Sequence, residues 1–164
     1  MNETNNQIIQ LESEIADTMT VLQKMESFYG DLKDTLSDNN DPRNAITLSE
    51  IFVNYYTCLE TIFFRISTFF ENNLPKDRWH AELLLKMKLS INGIRQAVIS
   101  DQTYHILDEF RRFRHFKRYY FQFLYDWDKL DFLQKKFEQL LDSIHEEFGL
   151  FLNFFVSVKN SSVI

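Results

Sequence analysis

Four residues that can bind anions lie close together in the sequence: Arg111, Arg114, His115 and Arg118. If this segment is a helix, a turn of about 100° per residue places the four side chains in one sector, away from Phe113. Guanidinium groups donate paired hydrogen bonds to phosphate oxygens, and an arginine is suited to this more than a lysine is. The spacing therefore indicates an anion site, with RNA or a nucleotide as its ligand.

The acidic residues of the same segment are Asp108 and Glu109, which lie only at its start. Arg114 and Arg118 therefore have no carboxylate at i±4 on their own helix. We interpret them as unneutralised cations that are available to phosphate; the alternative is a solvated helix face. The net charge of −6 speaks against nucleic-acid binding over the whole surface, so the basic site is expected to be local.

Apolar residues recur at spacings of three and four along most of the chain, and this period is typical of buried helical faces. It predicts five helices, over about residues 6–29, 44–71, 77–91, 101–125 and 127–157. Gly30 is expected to end the first helix, and Ser100 or Asp101 to cap the fourth. The residues of the fourth helix predicted to face inward are Ile106, Phe110, Phe113, Phe116, Tyr120 and Leu124. Short connections favour an all-α, up-and-down bundle that forms one domain, residues 1–164.

The composition supports few, long helices, because 17 Phe could fill a core while 3 Gly and 2 Pro are too few for the turns of a β fold. The single cysteine, Cys58, cannot form an internal disulfide. With no signal peptide and no long apolar run, this predicts a cytoplasmic protein without membrane contact. No histidine pair with a carboxylate has zinc-binding spacing and no glycine-rich phosphate loop occurs, so neither a metal nor a cofactor is expected.

Three stretches resemble the HepT-like branch of the HEPN superfamily: IFVNYYTCLETIFFRIS, RWHAELL and LDEFRRFRHFKRYYFQFLYDWDKL. The likeness spans roughly residues 48–130, and its most specific pieces are Trp79-His80 and the Arg114-His115 pair that follows a phenylalanine. This resemblance implies a HEPN-like bundle of four or five helices that forms a homodimer. It also implies a ribonuclease toxin encoded beside a minimal nucleotidyltransferase antitoxin.

The motif of this family is an Arg, about four to six intervening residues and a His, and two copies face each other across the dimer to form an RNA cleft. Arg114 matches the Arg, but Tyr119 stands where the His should follow, and Phe121 stands where relatives carry a Tyr that the antitoxin can adenylylate. The resemblance implies that Arg114 and Tyr119 are the catalytic positions of a metal-independent endoribonuclease. The implied RNA-binding positions are Arg111, His115, Arg118 and Phe121.

The replacement of the motif His by Tyr119 puts catalysis in question, because a phenol accepts a proton poorly near neutral pH whereas an imidazole accepts one well. Three alternatives follow. His115 could replace the missing imidazole, although its side chain diverges from that of Arg114 by about 100°. Arg114 and Tyr119 could hold and slowly cut RNA. The basic cleft could instead persist without catalysis, in an RNA-binding or protein-interaction module that partners a nucleotidyltransferase. His80 is expected to pack and cap the third helix.

Overall fold

The computed structural model describes residues 3–36, 38, 41–71, 79–119 and 125–161, without the side chains of residues 3–5, 119 and 158–161. These ranges contain five α-helices: α1 (Glu3–Leu36), α2 (Pro42–Phe70), α3 (Trp79–Met87), α4 (Asp101–Tyr119) and α5 (Trp127–Ser161). The described residues form no β-sheet, and one isolated bridge pairs Ile91 with Arg95. The prediction of an all-α, HEPN-like bundle of about five helices is confirmed.

The first helix does not end at Gly30, as the sequence had predicted, but continues to Leu36. Tyr29 and Leu36 are both buried in the core, on either side of the glycine. A glycine inside a helix costs about 1 kcal/mol relative to alanine, and the burial of these two large side chains outweighs that cost. Helix propensity alone therefore gave the wrong boundary.

Contacts between the helices show their relative directions. Glu14 of α1 pairs with Arg65 of α2, whereas Glu26, further along α1, contacts the earlier residue Tyr55. The two helices are therefore antiparallel, as expected for neighbours joined by a short connection. α2 contacts each of the four other helices, which makes it the central element of the core.

Phenylalanine pairs join α2 to α5 along their length, among them Phe52 with Phe137, Phe63 with Phe148 and Phe70 with Phe155. Their ring centroids lie 5.3, 5.9 and 5.6 Å apart. Both helices repeat the same steps of eleven and then seven residues, which correspond to about three and two helical turns. The matching steps show that α2 and α5 run parallel, and they explain how the chain accommodates so many phenylalanines.

The segment between α3 and α4 is held by Arg95, which is 2 % exposed. Its guanidinium pairs with Glu71, the residue that follows α2, and it also donates to the carbonyl oxygens of Lys86 and Leu89. α3 ends at Met87 and not near residue 91, because the carbonyls of its last turn bond elsewhere: that of Lys86 accepts from Arg95 and that of Met87 accepts from the Val98 N–H. Gly93, at φ 74°, makes the turn that returns the chain to Arg95.

The fourth helix begins at Asp101, and the Ser100 hydroxyl caps it by accepting a hydrogen bond from the Thr103 N–H at 3.1 Å. Ile106, Phe110 and Phe113 are buried as predicted. Phe116 is 46 % exposed, so the prediction that it faces the core is wrong. The expected inward positions Tyr120 and Leu124 lie outside the described residues, whereas residue 125, where the helix was predicted to end, is described and is not helical.

Among the helices that the structure describes, none combines the length and the apolar character needed to cross a bilayer.

Candidate functional site

Arg114 lies at the edge of the apolar face of α4, four residues after the buried Phe110. This spacing turns its side chain towards α2, where Glu60 follows Tyr56 by the same four residues. α3 begins beside them with Trp79 and His80. The side chains of three helices therefore meet at one point, which we call the Arg114 cluster: Arg114, Glu60, His80, Tyr56 and Thr57.

The centre of the cluster is a two-pronged ion pair. Arg114 donates from Nη1 to Glu60 Oε1 at 2.8 Å and from Nη2 to Glu60 Oε2 at 2.7 Å. Nη1 also donates to the Thr57 hydroxyl at 3.3 Å, and the guanidinium lies over the Tyr56 ring at 4.8 Å from its centroid. The side chain of Glu60 is 8 % exposed and that of Arg114 19 %. Such paired, charge-assisted bonds fix both groups in one geometry.

His80 shares the same carboxylate. Its Nδ1 lies 2.7 Å from Glu60 Oε2 and 3.2 Å from Arg114 Nη2. An ionised carboxylate only accepts hydrogen bonds, so Nδ1–H donates to Glu60, and the imidazole and the guanidinium converge on one oxygen. The Trp79 ring packs against the imidazole with centroids 3.7 Å apart. The His80 side chain is 35 % exposed, so the ring is partly accessible to solvent.

Tyr56 completes the cluster from the buried side. Its hydroxyl donates to Glu60 Oε2 at 3.2 Å. Burial raises the pKa of Tyr56 well above its ordinary value, the negative charge of Glu60 raises it further, and the positive charge of Arg114 partly offsets both. The phenol therefore stays protonated and acts as a donor that holds the carboxylate.

The structure corrects one premise of the sequence-based prediction. Arg114 was interpreted as unneutralised because no acid lies at i±4 on α4, but Glu60 from α2 neutralises it across the helix interface. Arg111 is not free either, since its Nε donates to Asp108 at 2.7 Å. Arg118 is exposed and forms no ion pair with the described part of the chain. The basic face of α4 is therefore less positive than its sequence suggests.

The remaining predicted site residues are His115, Tyr119 and Phe121, and the structure describes the side chain of His115 alone among them. His115 is exposed on α4. The imidazole that lies beside the guanidinium of Arg114 is that of His80, which comes from α3 and not from α4. Tyr119 is the last residue of α4 and its side chain lies outside the described residues. Phe121 lies outside them altogether. The roles assigned to Tyr119 and Phe121 stay predictions.

Glu60 and His80 were not identified as site residues from the sequence. Glu60 carried a usable signal, because it is a carboxylate on the same buried face of α2 as Tyr56 and Phe63. A charged group on such a face needs a partner of opposite charge or strong hydrogen bonds. His80 carried no comparable signal, since its approach to Glu60 depends on how α3 packs against α2.

A second cluster of the same residue types lies elsewhere in the bundle, and we call it the Glu26 cluster: Glu26 of α1, Tyr55 of α2 and His145 of α5. The His145 Nε2 lies 2.8 Å from both carboxylate oxygens of Glu26, and the Tyr55 hydroxyl donates to Oε1 at 2.7 Å. Burial raises the pKa of Tyr55, and the hydrogen bond to Glu26 raises it further.

No group of residues suited to holding a metal ion occurs in the part of the chain that the structure describes. Cys58, on α2, is half-buried, and burial raises the pKa of its thiol. It therefore stays a neutral thiol and is a weak nucleophile at neutral pH.

A family model described as HepT-like protein matches residues 47–155. This range includes every residue of the Arg114 cluster, and it leaves out α1 with Glu26. The match covers well over half of the chain. Comparison with curated proteins and with solved structures gives no match.

Proposed function

The chain belongs to the HepT-like family of the HEPN superfamily, and on this premise we propose that it is the HepT-like component of a toxin–antitoxin module that acts on RNA at the Arg114 cluster. The observation that carries the proposal is the pairing of a partly exposed guanidinium with an imidazole 3.2 Å away. A guanidinium binds phosphate, and an imidazole exchanges protons near neutral pH. Together they are the two groups that recognition and cleavage of an RNA backbone require.

The exposed cations of α4 support RNA as the ligand. Arg118 and His115 are exposed on the solvent side of the helix, and Arg112 is exposed although it pairs with Asp108. Phosphate oxygens can compete for such exposed ion pairs, because a surface salt bridge contributes about 0 to 1 kcal/mol. The face therefore offers cations that can follow a phosphate backbone towards Arg114.

We propose a homodimer in which the Arg114 clusters of two copies face one RNA cleft. Phe64 on α2 is 44 % exposed and packs edge-on against Trp79, the neighbour of His80. Exposed aromatic surface beside a polar site is typical of a protein interface. The proposed antitoxin is a minimal nucleotidyltransferase encoded beside this chain.

RNA binding tests the proposal directly. We expect the purified chain to bind single-stranded RNA with an affinity that falls as salt rises, because phosphate contacts release counterions. Arg114→Gln should weaken binding about tenfold or more, and Arg118→Gln should weaken it less. Lys136→Gln on α5 is the matched control, since Lys136 is a cation away from α4 and should leave affinity unchanged. Absence of RNA binding at low salt would contradict the proposal.

Growth assays and sedimentation test the biological setting. Expression of the chain alone should arrest growth, and co-expression with the neighbouring nucleotidyltransferase should relieve the arrest. Sedimentation should show a dimer, and Phe64→Glu should shift it to a monomer. An unchanged dimer in that variant would place the interface elsewhere on the molecule.

One observation favours a second function, that of a non-catalytic RNA-binding or protein-interaction module. Glu60 already occupies both terminal nitrogens of Arg114, so a phosphate must compete with a buried carboxylate. In this case the chain binds RNA or the nucleotidyltransferase, and no RNA product forms at any protein concentration.

A further inference from the structure

We propose that His80, held by Glu60, is the proton acceptor for RNA cleavage at the Arg114 cluster. This inference rests on the proposed function and assigns to α3 the imidazole that is missing from the motif position held by Tyr119. Three features of the cluster support it: Nδ1 of His80 is bonded to Glu60, the imidazole is packed against Trp79, and the guanidinium of Arg114 lies beside the ring.

The occupied nitrogen is Nδ1. It donates to Glu60 Oε2 at 2.7 Å, which leaves Nε2 as the nitrogen with a lone pair. No described residue forms a hydrogen bond with Nε2, and the ring is about one third exposed. A carboxylate on Nδ1 fixes the tautomer and stabilises the imidazolium that forms when Nε2 accepts a proton. His80 therefore presents a nitrogen that no described residue occupies, on a partly exposed ring, as a general base requires.

The ring is also held in place, because a general base has to meet its substrate in one orientation. Trp79 packs on one face of the imidazole at 3.7 Å between centroids. Glu60 is itself fixed by two bonds from Arg114 and one from Tyr56. Among the described residues, the charged groups in contact with the imidazole are Glu60 from α2 and Arg114 from α4, and Tyr56 of α2 donates to the same carboxylate.

In the proposed reaction, the guanidinium of Arg114 lies beside the phosphate on which negative charge develops. Arg114 Nη2 is 3.2 Å from Nδ1 of His80, and the Nε–H of Arg114 has no partner among the described residues. A phosphate held by that free N–H would place the preceding ribose within reach of the imidazole. The positive charge then stabilises the phosphorane-like transition state.

The reaction follows from these positions. The 2′-hydroxyl of RNA gives its proton to His80 Nε2, and its oxygen attacks the adjacent phosphorus. The P–O2′ bond forms while the P–O5′ bond breaks, and the 5′ oxygen takes a proton from water. The products are a 2′,3′-cyclic phosphate and a 5′-hydroxyl end. His80 then returns its proton to solvent.

The test compares His80→Gln with His145→Gln, using a fluorescent RNA as the probe. His145 is the matched control, because it is also a partly exposed histidine on a glutamate but lies in the Glu26 cluster. We expect His80→Gln to lower kcat by about 10² to 10⁴-fold with RNA affinity retained, and His145→Gln to cleave like the wild type. Equal kcat for wild type and His80→Gln would overturn the proposal.

Two further measurements keep the test decisive if His80→Gln does not fold. The wild-type rate should rise between about pH 5 and about pH 8 as an imidazole loses its proton, and its products should carry 2′,3′-cyclic phosphate ends. Added imidazole should restore cleavage to His80→Ala and not to Arg114→Gln. A flat pH profile, or RNA binding by the wild type with no cleavage, would overturn the role of His80 and leave the proposed RNA binding standing. Failure to bind RNA would contradict both.

Discussion

The Arg114 cluster and the Glu26 cluster each contain a glutamate, a tyrosine and a histidine, and the first also contains an arginine and a threonine. Their tyrosines are adjacent in sequence, Tyr56 and Tyr55, and therefore point to different sides of α2. The glutamate of the first cluster is held by an arginine as well as by its histidine, whereas Glu26 is held by His145 and Tyr55. One helix thus carries two sites of similar composition in different surroundings.

The two clusters differ in which imidazole nitrogen bonds to the glutamate, and this choice decides which nitrogen is left for other partners. His145 directs Nε2, the nitrogen furthest from the backbone, at both oxygens of Glu26. His80 directs Nδ1 at Glu60, and no described residue forms a hydrogen bond with its Nε2. The first arrangement uses the imidazole to tie α5 to α1, and the second leaves one ring nitrogen without a hydrogen-bond partner among the described residues. We therefore expect the Glu26 cluster to contribute to stability and the Arg114 cluster to contribute to function as well.

The largest difference between the clusters should appear when each carboxylate is removed. Glu60→Ala leaves the guanidinium of Arg114 without its partner at a mostly buried site, and such losses cost about 3 to 5 kcal/mol. Glu26→Ala leaves the Tyr55 hydroxyl and the partly exposed His145 without their acceptor and should cost about 1 to 2 kcal/mol. Urea unfolding followed by circular dichroism gives both free energies. Equal losses would show that Arg114 adds nothing to the first cluster.

Replacement of the arginine should have the next largest effect. Arg114→Met keeps much of the side-chain volume but leaves Glu60 as a buried carboxylate, and we expect a loss of about 2 to 3 kcal/mol in the free energy of unfolding. Arg111→Met is the matched control on the same helix, since its pair with Asp108 at i, i+3 is worth about 0.5 kcal/mol. If both variants unfold at the same urea concentration, the ion pair across the helix interface is no stronger than a local one.

The two tyrosines should make the protein less stable at alkaline pH. Burial raises the pKa of both Tyr55 and Tyr56, so above about pH 10 the unfolded chain loses protons that the folded chain keeps. Stability is therefore full below that pH and falls by about 1.4 kcal/mol per pH unit for each tyrosine above it. Tyr55→Phe and Tyr56→Phe should each remove one such contribution from the slope. A slope unchanged in either variant would contradict the burial of that phenol.

The smallest effect should come from a glycine near the Glu26 cluster. Gly30 lies inside α1 with open space around its Cα, so Gly30→Ala should raise the free energy of unfolding by about 0.5 to 1 kcal/mol. Gly93→Ala is the contrasting control, because Gly93 has φ +74° and alanine is strained there. RNA affinity should not change in the Gly30 variant, since α1 takes no part in the Arg114 cluster. A destabilised Gly30 variant would contradict the continuous helix.

Much of the fold could be predicted because helical periodicity is a local property. The apolar residues of α2 and α5 recur at spacings that keep one face buried, and those faces are buried in the structure. The errors lie where tertiary packing overrides local signals. Gly30 was expected to end a helix that burial of Tyr29 and Leu36 continues, and Phe116 was expected in a core that it does not reach.

The sequence by itself determined that the chain is an all-α bundle, and it singled out Arg114 as a candidate site residue. Periodicity and the likeness to HepT-like proteins need only residues that are neighbours along the chain. Only the tertiary structure decided what Arg114 binds, because Glu60 lies 54 residues before it and His80 34 residues before it. Ion pairs form over a few ångströms of space, whatever the separation in sequence, so the partners appeared only when α2, α3 and α4 were packed together.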